Sequence, residues 1–132
     1  MYNLLERAEY TNGVGPLAAE HGLAALPYSA LASGFLSGKY RRGITVDSVR
    51  AGGVSRYFTD QGYAVVDALA EIAAHRGVAI SAIALAWLAA QPTVLAPIAS
   101  ARTPEQLTEL LGVAKVSLSQ DELDRLVAAA SS

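Results

Sequence analysis

The chain has 132 residues, no cysteine, 52% apolar and only 17% charged residues, and a net charge of −2. This excludes general disorder, a disulfide framework or thiolate site and, with Lys39-Tyr40-Arg41-Arg42 as the densest basic run, a broad nucleic-acid footprint. No apolar run reaches the roughly 18 residues that span a bilayer, and "MYNLLERAEY" lacks a signal-peptide core, so a soluble cytoplasmic protein that contacts no membrane is expected.

Tyr2–Leu5 is a short apolar start, followed by a polar, glycine-containing stretch. Pro16 suits the first turn of a helix closed by Gly22. "LAALPY" (23–28) does not alternate, which predicts a buried strand. From Ser29 to about Thr59 no period is sustained, and Gly34, Gly38, Gly43, Gly52 and Gly53 are scattered through it. A loop of about 30 residues is uncommon and tends to be functional or mobile.

Val65, Val66, Leu69, Ile72 and Ala73 then form one helical stripe, with Asp60 at its start and Gly77 as its stop. "AISAIALAWLAAQP" predicts a second helix, apolar all round and therefore buried, with Trp87 in the core. "VLAPIAS" (94–100) predicts another buried strand. Thr103, Pro104 and Gln106 open a helix that Gly112 terminates. Ser119 and Glu122 form a capping box for the last helix, whose stripe is Leu123, Leu126 and Val127. Asp121, Glu122 and Asp124 read as its solvated first turns.

Buried strands alternating with helices predict an α/β architecture with parallel strands. Two clear strands, with a third ending at Tyr2–Leu5, cannot cover their own faces and edges. The few charges likewise cover little surface. Residues 1–132 are therefore expected to be a single partial domain of a larger sheet or barrel.

In such folds sites form at the carboxyl ends of strands. In "ASARTPEQ", Ser100 and Arg102 precede a helix N-terminus that attracts phosphate, although a plain N-cap beside a solvated arginine gives the same pattern. After the first strand, Ser29, Ser33, the amides around Gly34 and Lys39 suit an anion, or simply a flexible connection. The lysine lacks the following Ser or Thr of a Walker loop. Tyr28 either offers its ring to a planar ligand or packs in the core. His21 and His75 complement helix ends, and no second His or Cys stands at metal-ligand spacing. No Ser-His-Asp set suggests itself.

Together, "YNLLER", "PYSALASGFLSGKYR", "ALAWLAAQPTVLAPIASARTPEQL" and "LSQDELDRL" resemble the aldo-keto reductase family from Tyr2 to the end of the chain, in the family's order. The resemblance implies the C-terminal part of a (β/α)8 TIM barrel, its N-terminal half absent, with "YNLL", "LAALPY" and "VLAPIAS" as the end of strand six and strands seven and eight. It implies an NADP(H) cofactor and a small-molecule carbonyl substrate in the intact enzyme. Tyr28 would stack on the nicotinamide. Ser29, Leu31 and Ser33 would follow the pyrophosphate and ribose. Ser100 and Arg102 would meet the 2′-phosphate, and Gln106 the adenine. The segment to about Thr59 would be the family's mobile loop over the cofactor. The family usually has glycine at Ser100 and an adenine-holding asparagine at Leu110, so weaker adenine contacts are expected here.

The family's catalytic Asp, Tyr, Lys and His have no counterpart in this chain, so no catalytic residue is assigned. The isolated chain is expected to be silent and, as a half barrel, to self-associate. A non-catalytic nucleotide-binding or regulatory module, and an inactive truncated product, remain the alternatives.

Overall fold

A computed structural model of the chain describes residues 1–44 and 51–131. A π turn over Tyr10–Val14 leads into α1 (Gly15–Glu20). The wide turn follows from Pro16: without an N–H it cannot continue an α ladder, and the preceding Gly15 N–H bonds Tyr10 O instead. The helical turns therefore start before the proline, within the stretch the sequence marks as irregular.

Two short pieces come next, a 3₁₀ turn over Ala32–Ser37 and α2 (Ala51–Val54), with a further 3₁₀ turn at Ser55–Tyr57. Residues 45–50 of the proposed mobile loop lie outside the described residues. The flanking parts are not structureless, because aromatic packing pins them. Phe35 is fully buried, with the rings of Tyr40, Tyr57, Phe58 and Tyr63 around it at centroid distances of 5.7 to 6.0 Å. Burying one such ring stabilises by about 2–3 kcal/mol.

The helical layer follows the expected pattern. In α3 (Asp60–Arg76) Thr59 is the N-cap, its hydroxyl accepting the Gly62 N–H at 3.0 Å, while Gly77 ends the helix at φ 66°. The stripe of α3 packs on α4 (Ile80–Ala89) and α6 (Gln120–Ala129), burying Val65, Leu69, Ile83, Leu88 and Leu126. Trp87 lies in this core, its ring edge-on to Tyr2, which stacks on Tyr10 at 4.2 Å. α5 (Pro104–Leu111) starts at Thr103 but is not stopped at Gly112, which keeps right-handed backbone (φ −54°) and passes into a 3₁₀ turn over Gly112–Lys115.

The two expected strands need correction. Residues 23–28 and 94–98 run side by side and parallel, but they form one isolated bridge, Ala25 with Val94, and no strand is formed among the described residues. Ala25 N–H donates to Thr93 O (2.7 Å) and Leu95 N–H to Ala25 O (2.9 Å). The next rung of a parallel ladder needs the N–H groups of residues 27 and 97. Both are prolines, so neither bond can exist. Pairing resumes once, from Ile98 N–H to Pro27 O at 2.9 Å, and Tyr2 N–H reaches Tyr28 O on the other side at 3.4 Å. The three segments keep the expected spatial order without the ladders. They are not buried either: Leu23, Leu26, Tyr28, Leu95 and Ile98 are exposed, Leu95 by 71%. No layer among the described residues covers that face.

Candidate functional site

The first candidate loop begins where Asn3 fixes it. Asn3 is fully buried; its Nδ2 donates to Ser29 O at 2.9 Å, and its Oδ1 accepts the N–H groups of Leu5 (2.9 Å) and Glu6 (3.1 Å). Immediately beyond, Ser29, Ala32, Ser33 and Gly34 take left-handed backbone (φ 58°, 49°, 58° and 94°). Such conformations are uncommon for non-glycine residues and persist where the surroundings over-determine them. Here Asn3 holds one end and buried Phe35 and Leu36 hold the other. Gly38 (φ 83°) ends the turn; a Cβ there would stand 2.4 Å from Ile80 Cδ1, so the loop lies directly on the start of α4.

The second loop leads into α5. Gln106 Oε1 accepts the Arg102 N–H at 2.9 Å, and Thr103 Oγ1 accepts the Gln106 N–H at 3.3 Å. The glutamine thus holds the backbone from which the Arg102 guanidinium projects. A backbone hydrogen bond and the Thr103 hydroxyl hold the neighbouring Glu105 carboxyl below the usual carboxylate range.

The two loops enclose a cavity of about 750 Å³. Ser29, Leu31, Ser33, Ser100, Arg102 and Gln106 all line it, so the structure brings these sequence-predicted residues together. Apart from Leu31 and Lys39, its wall on the first loop is made of small side chains, which leaves room for a bulky guest. Tyr28 does not line it; the residue is 59% exposed and packs in no core among the described residues. Lys39 and Leu110 also line the cavity.

The charges are arranged unevenly. Arg41, Arg42, Arg56, Arg76 and Arg125 pair with Asp67, Asp60, Glu6, Glu122 and Glu71. Among the described residues Arg7, Lys39, Arg102 and Lys115 have no carboxylate partner; of these Lys39 and Arg102 line the cavity, which the Glu109 side chain also lines. Two unpaired cations on opposite loops favour an anion between them.

Burial pushes Tyr2 up, and burial, ahead of the hydrogen bond from Arg56, does the same to Tyr57; neither lines the cavity.

Two residues of the site carry no mark in the sequence reading. Asn3 had one available signal, a polar residue inside the apolar run "YNLL". Ser81 reads as a helix-start serine, but it lies on the cavity wall.

The sequence model of the Aldo/keto reductase family matches residues 1–131. A "Probable voltage-gated potassium channel subunit beta" from Oryza sativa subsp. japonica is 35% identical over 114 residues, covering 82% of this chain and 35% of the relative. An uncharacterised oxidoreductase of Bacillus subtilis is 31% identical over 127 residues, covering 95% of this chain and 37% of the relative. Among solved structures, the glycerol dehydrogenase of Gluconobacter oxydans superposes with a TM-score of 0.74 at 28% identity, over 96% of this chain and 40% of that one. The chain therefore spans between a third and two fifths of the length of these relatives.

Proposed function

The chain belongs to the aldo/keto reductase family of oxidoreductases, and on that premise we propose that it forms the NADP(H)-binding clamp of a carbonyl-reducing enzyme. One observation carries the reading: Lys39 and Arg102, the former from the first loop and the latter from the second, face one cavity without carboxylate partners. The cavity's size suits a nucleotide-sized guest, since ligand sites commonly run from about 300 to 1,000 Å³.

Each residue has a distinct task. Arg102 meets the adenosine 2′-phosphate with its fork of donors, held by the Gln106 contact to its backbone. Ser29, Leu31 and Ser33 let the pyrophosphate and ribose approach the backbone closely, and Ser100 lies beside the 2′-phosphate. Tyr28, already free of the core, presents its ring to the nicotinamide. The chemistry such a cofactor supplies when bound is hydride transfer. Reduction of an aldehyde or ketone also needs a proton donor within about 3 Å of the carbonyl oxygen. We assign no residue of this chain to that role, so the 132 residues alone bind cofactor without turning over substrate.

A second reading has its own support. The similarity to a potassium channel β subunit, with the exposed Leu23, Leu26, Leu95 and Ile98, favours a nucleotide-binding module that works by association. Titrating the chain with NADPH while following nicotinamide fluorescence, then adding a panel of aldehydes, separates the readings. Saturable binding without turnover fits both, and a defined oligomer favours the second. Absence of binding contradicts the clamp, and turnover contradicts the external proton donor.

A further inference from the structure

Ser81 is only 4% exposed, and its Oγ finds no hydrogen-bond partner among the described residues. A buried hydroxyl left unsatisfied costs about 1–3 kcal/mol, so its presence calls for an occupant. It lies in the first turn of α4, a ten-residue helix whose N-cap, Ala79, offers no side-chain acceptor. The amide groups of a helix start carry partial positive charge. Ser81 also lines the cavity between the two cations. The first loop lies against this helix start at Gly38 and Ile80, while Gly112, past the end of α5, approaches Ala82. α4 thus meets the first loop and the helix that follows the second.

We propose that Ser81 is a phosphate-positioning residue, its Oγ–H donating to a phosphate oxygen of the nucleotide held between Lys39 and Arg102. This deepens the cofactor-clamp reading and rests on it. A hydroxyl aimed at an anion suits this place better than one aimed at a neutral group, because the helix start and the two cations together outweigh the one carboxylate on the wall, Glu109. The phosphate is either the pyrophosphate or the 2′-phosphate, and both offer the same acceptor.

The test uses the full chain with Ser81→Ala and Ser81→Cys, the latter keeping the volume while offering only a weak donor. NADPH and NADH affinities are read by fluorescence titration, and apo thermal stability is read in parallel. Losing a hydrogen bond to a charged group weakens binding about tenfold, and both variants are expected to show that loss. Equal loss for NADPH and NADH assigns the pyrophosphate, whereas loss confined to NADPH assigns the 2′-phosphate. The apo protein is expected to keep or raise its Tm, since the alanine removes an unsatisfied hydroxyl. Wild-type binding with unchanged variant affinity overturns the role of Ser81 alone. A clear fall of apo Tm in both variants also overturns it, because the hydroxyl is then structural. If the wild-type chain binds neither nucleotide, the clamp itself is contradicted and this role falls with it.

Discussion

Asn3 Nδ2 donates to the Ser29 carbonyl at 2.9 Å from a fully buried position, tying the first segment of the chain to the residue that opens the first cavity-lining loop. The same side chain accepts two backbone N–H groups, so every strong group on it is in use. Replacing it by leucine conserves bulk but strands those partners. Asn3→Leu is expected to lower stability by about 2–4 kcal/mol, seen as a fall in the denaturation midpoint. An unchanged midpoint contradicts the anchoring role.

Two glycines give a ranking. A Cβ on Gly62 would lie 2.0 Å from the Tyr57 carbonyl oxygen, which is backbone and cannot step aside. Gly77 has open space around it but sits at φ 66°. Gly77→Ala is therefore expected to cost about 1–2 kcal/mol, the ordinary penalty of left-handed backbone. Gly62→Ala must displace the turn before α3 and is expected to cost more. Urea unfolding of the two variants compares them, and the reverse order refutes the packing argument.

Acid should reveal the join between α3 and α6. Arg76 binds the Glu122 carboxylate through two hydrogen bonds, of 2.7 and 2.5 Å, and Glu122 also accepts the Ser119 N–H. Chiefly through Arg76, its pKa is lowered from 4.5 to about 2. A depressed carboxyl pKa gives stability that is fully present above the unfolded value and is lost as pH falls through the folded one. The loss should therefore run from about pH 4.5 down to about 2 and amount to roughly 1–2 kcal/mol once solvent screening is allowed for. Glu122→Gln is expected to flatten this part of the stability profile; a profile as steep as that of the wild type rules the pair out as its source.

The uncovered apolar face has a consequence for association. Leu26 and Leu95 are exposed on neighbouring segments, and apolar patches of this kind drive contact. The wild-type chain is expected to self-associate with rising concentration, and Leu26→Lys with Leu95→Lys to shift it toward monomer without lowering Tm. Sedimentation that gives a monomer for the wild type at all concentrations contradicts this.

The helices and their caps were readable from the sequence because their signals are local: Thr103 and Gln106 in one turn, Ser119 and Glu122 in another. The ladders were not, because an apolar run says nothing about whether the rung opposite is another proline, as Pro27 and Pro97 are. Burial of those runs failed for a related reason, since it depends on a covering layer rather than on the run itself. The two loops that line the cavity were readable as motifs, yet the contacts of Asn3 and Ser81 were not. Their importance comes from segments far away in the chain, Ser29 for one and the two loops around the cavity for the other.

The central claim, a clamp that recognises the 2′-phosphate through Arg102, is tested most directly by calorimetric titration of NADPH and NADH into the wild-type chain and into Arg102→Ala. The wild type is expected to bind NADPH at least about tenfold more tightly than NADH, as a charge-assisted contact allows, and the variant to lose that preference while NADH affinity stays nearly constant. Equal affinities in the wild type, or equal loss for both nucleotides in the variant, would contradict it.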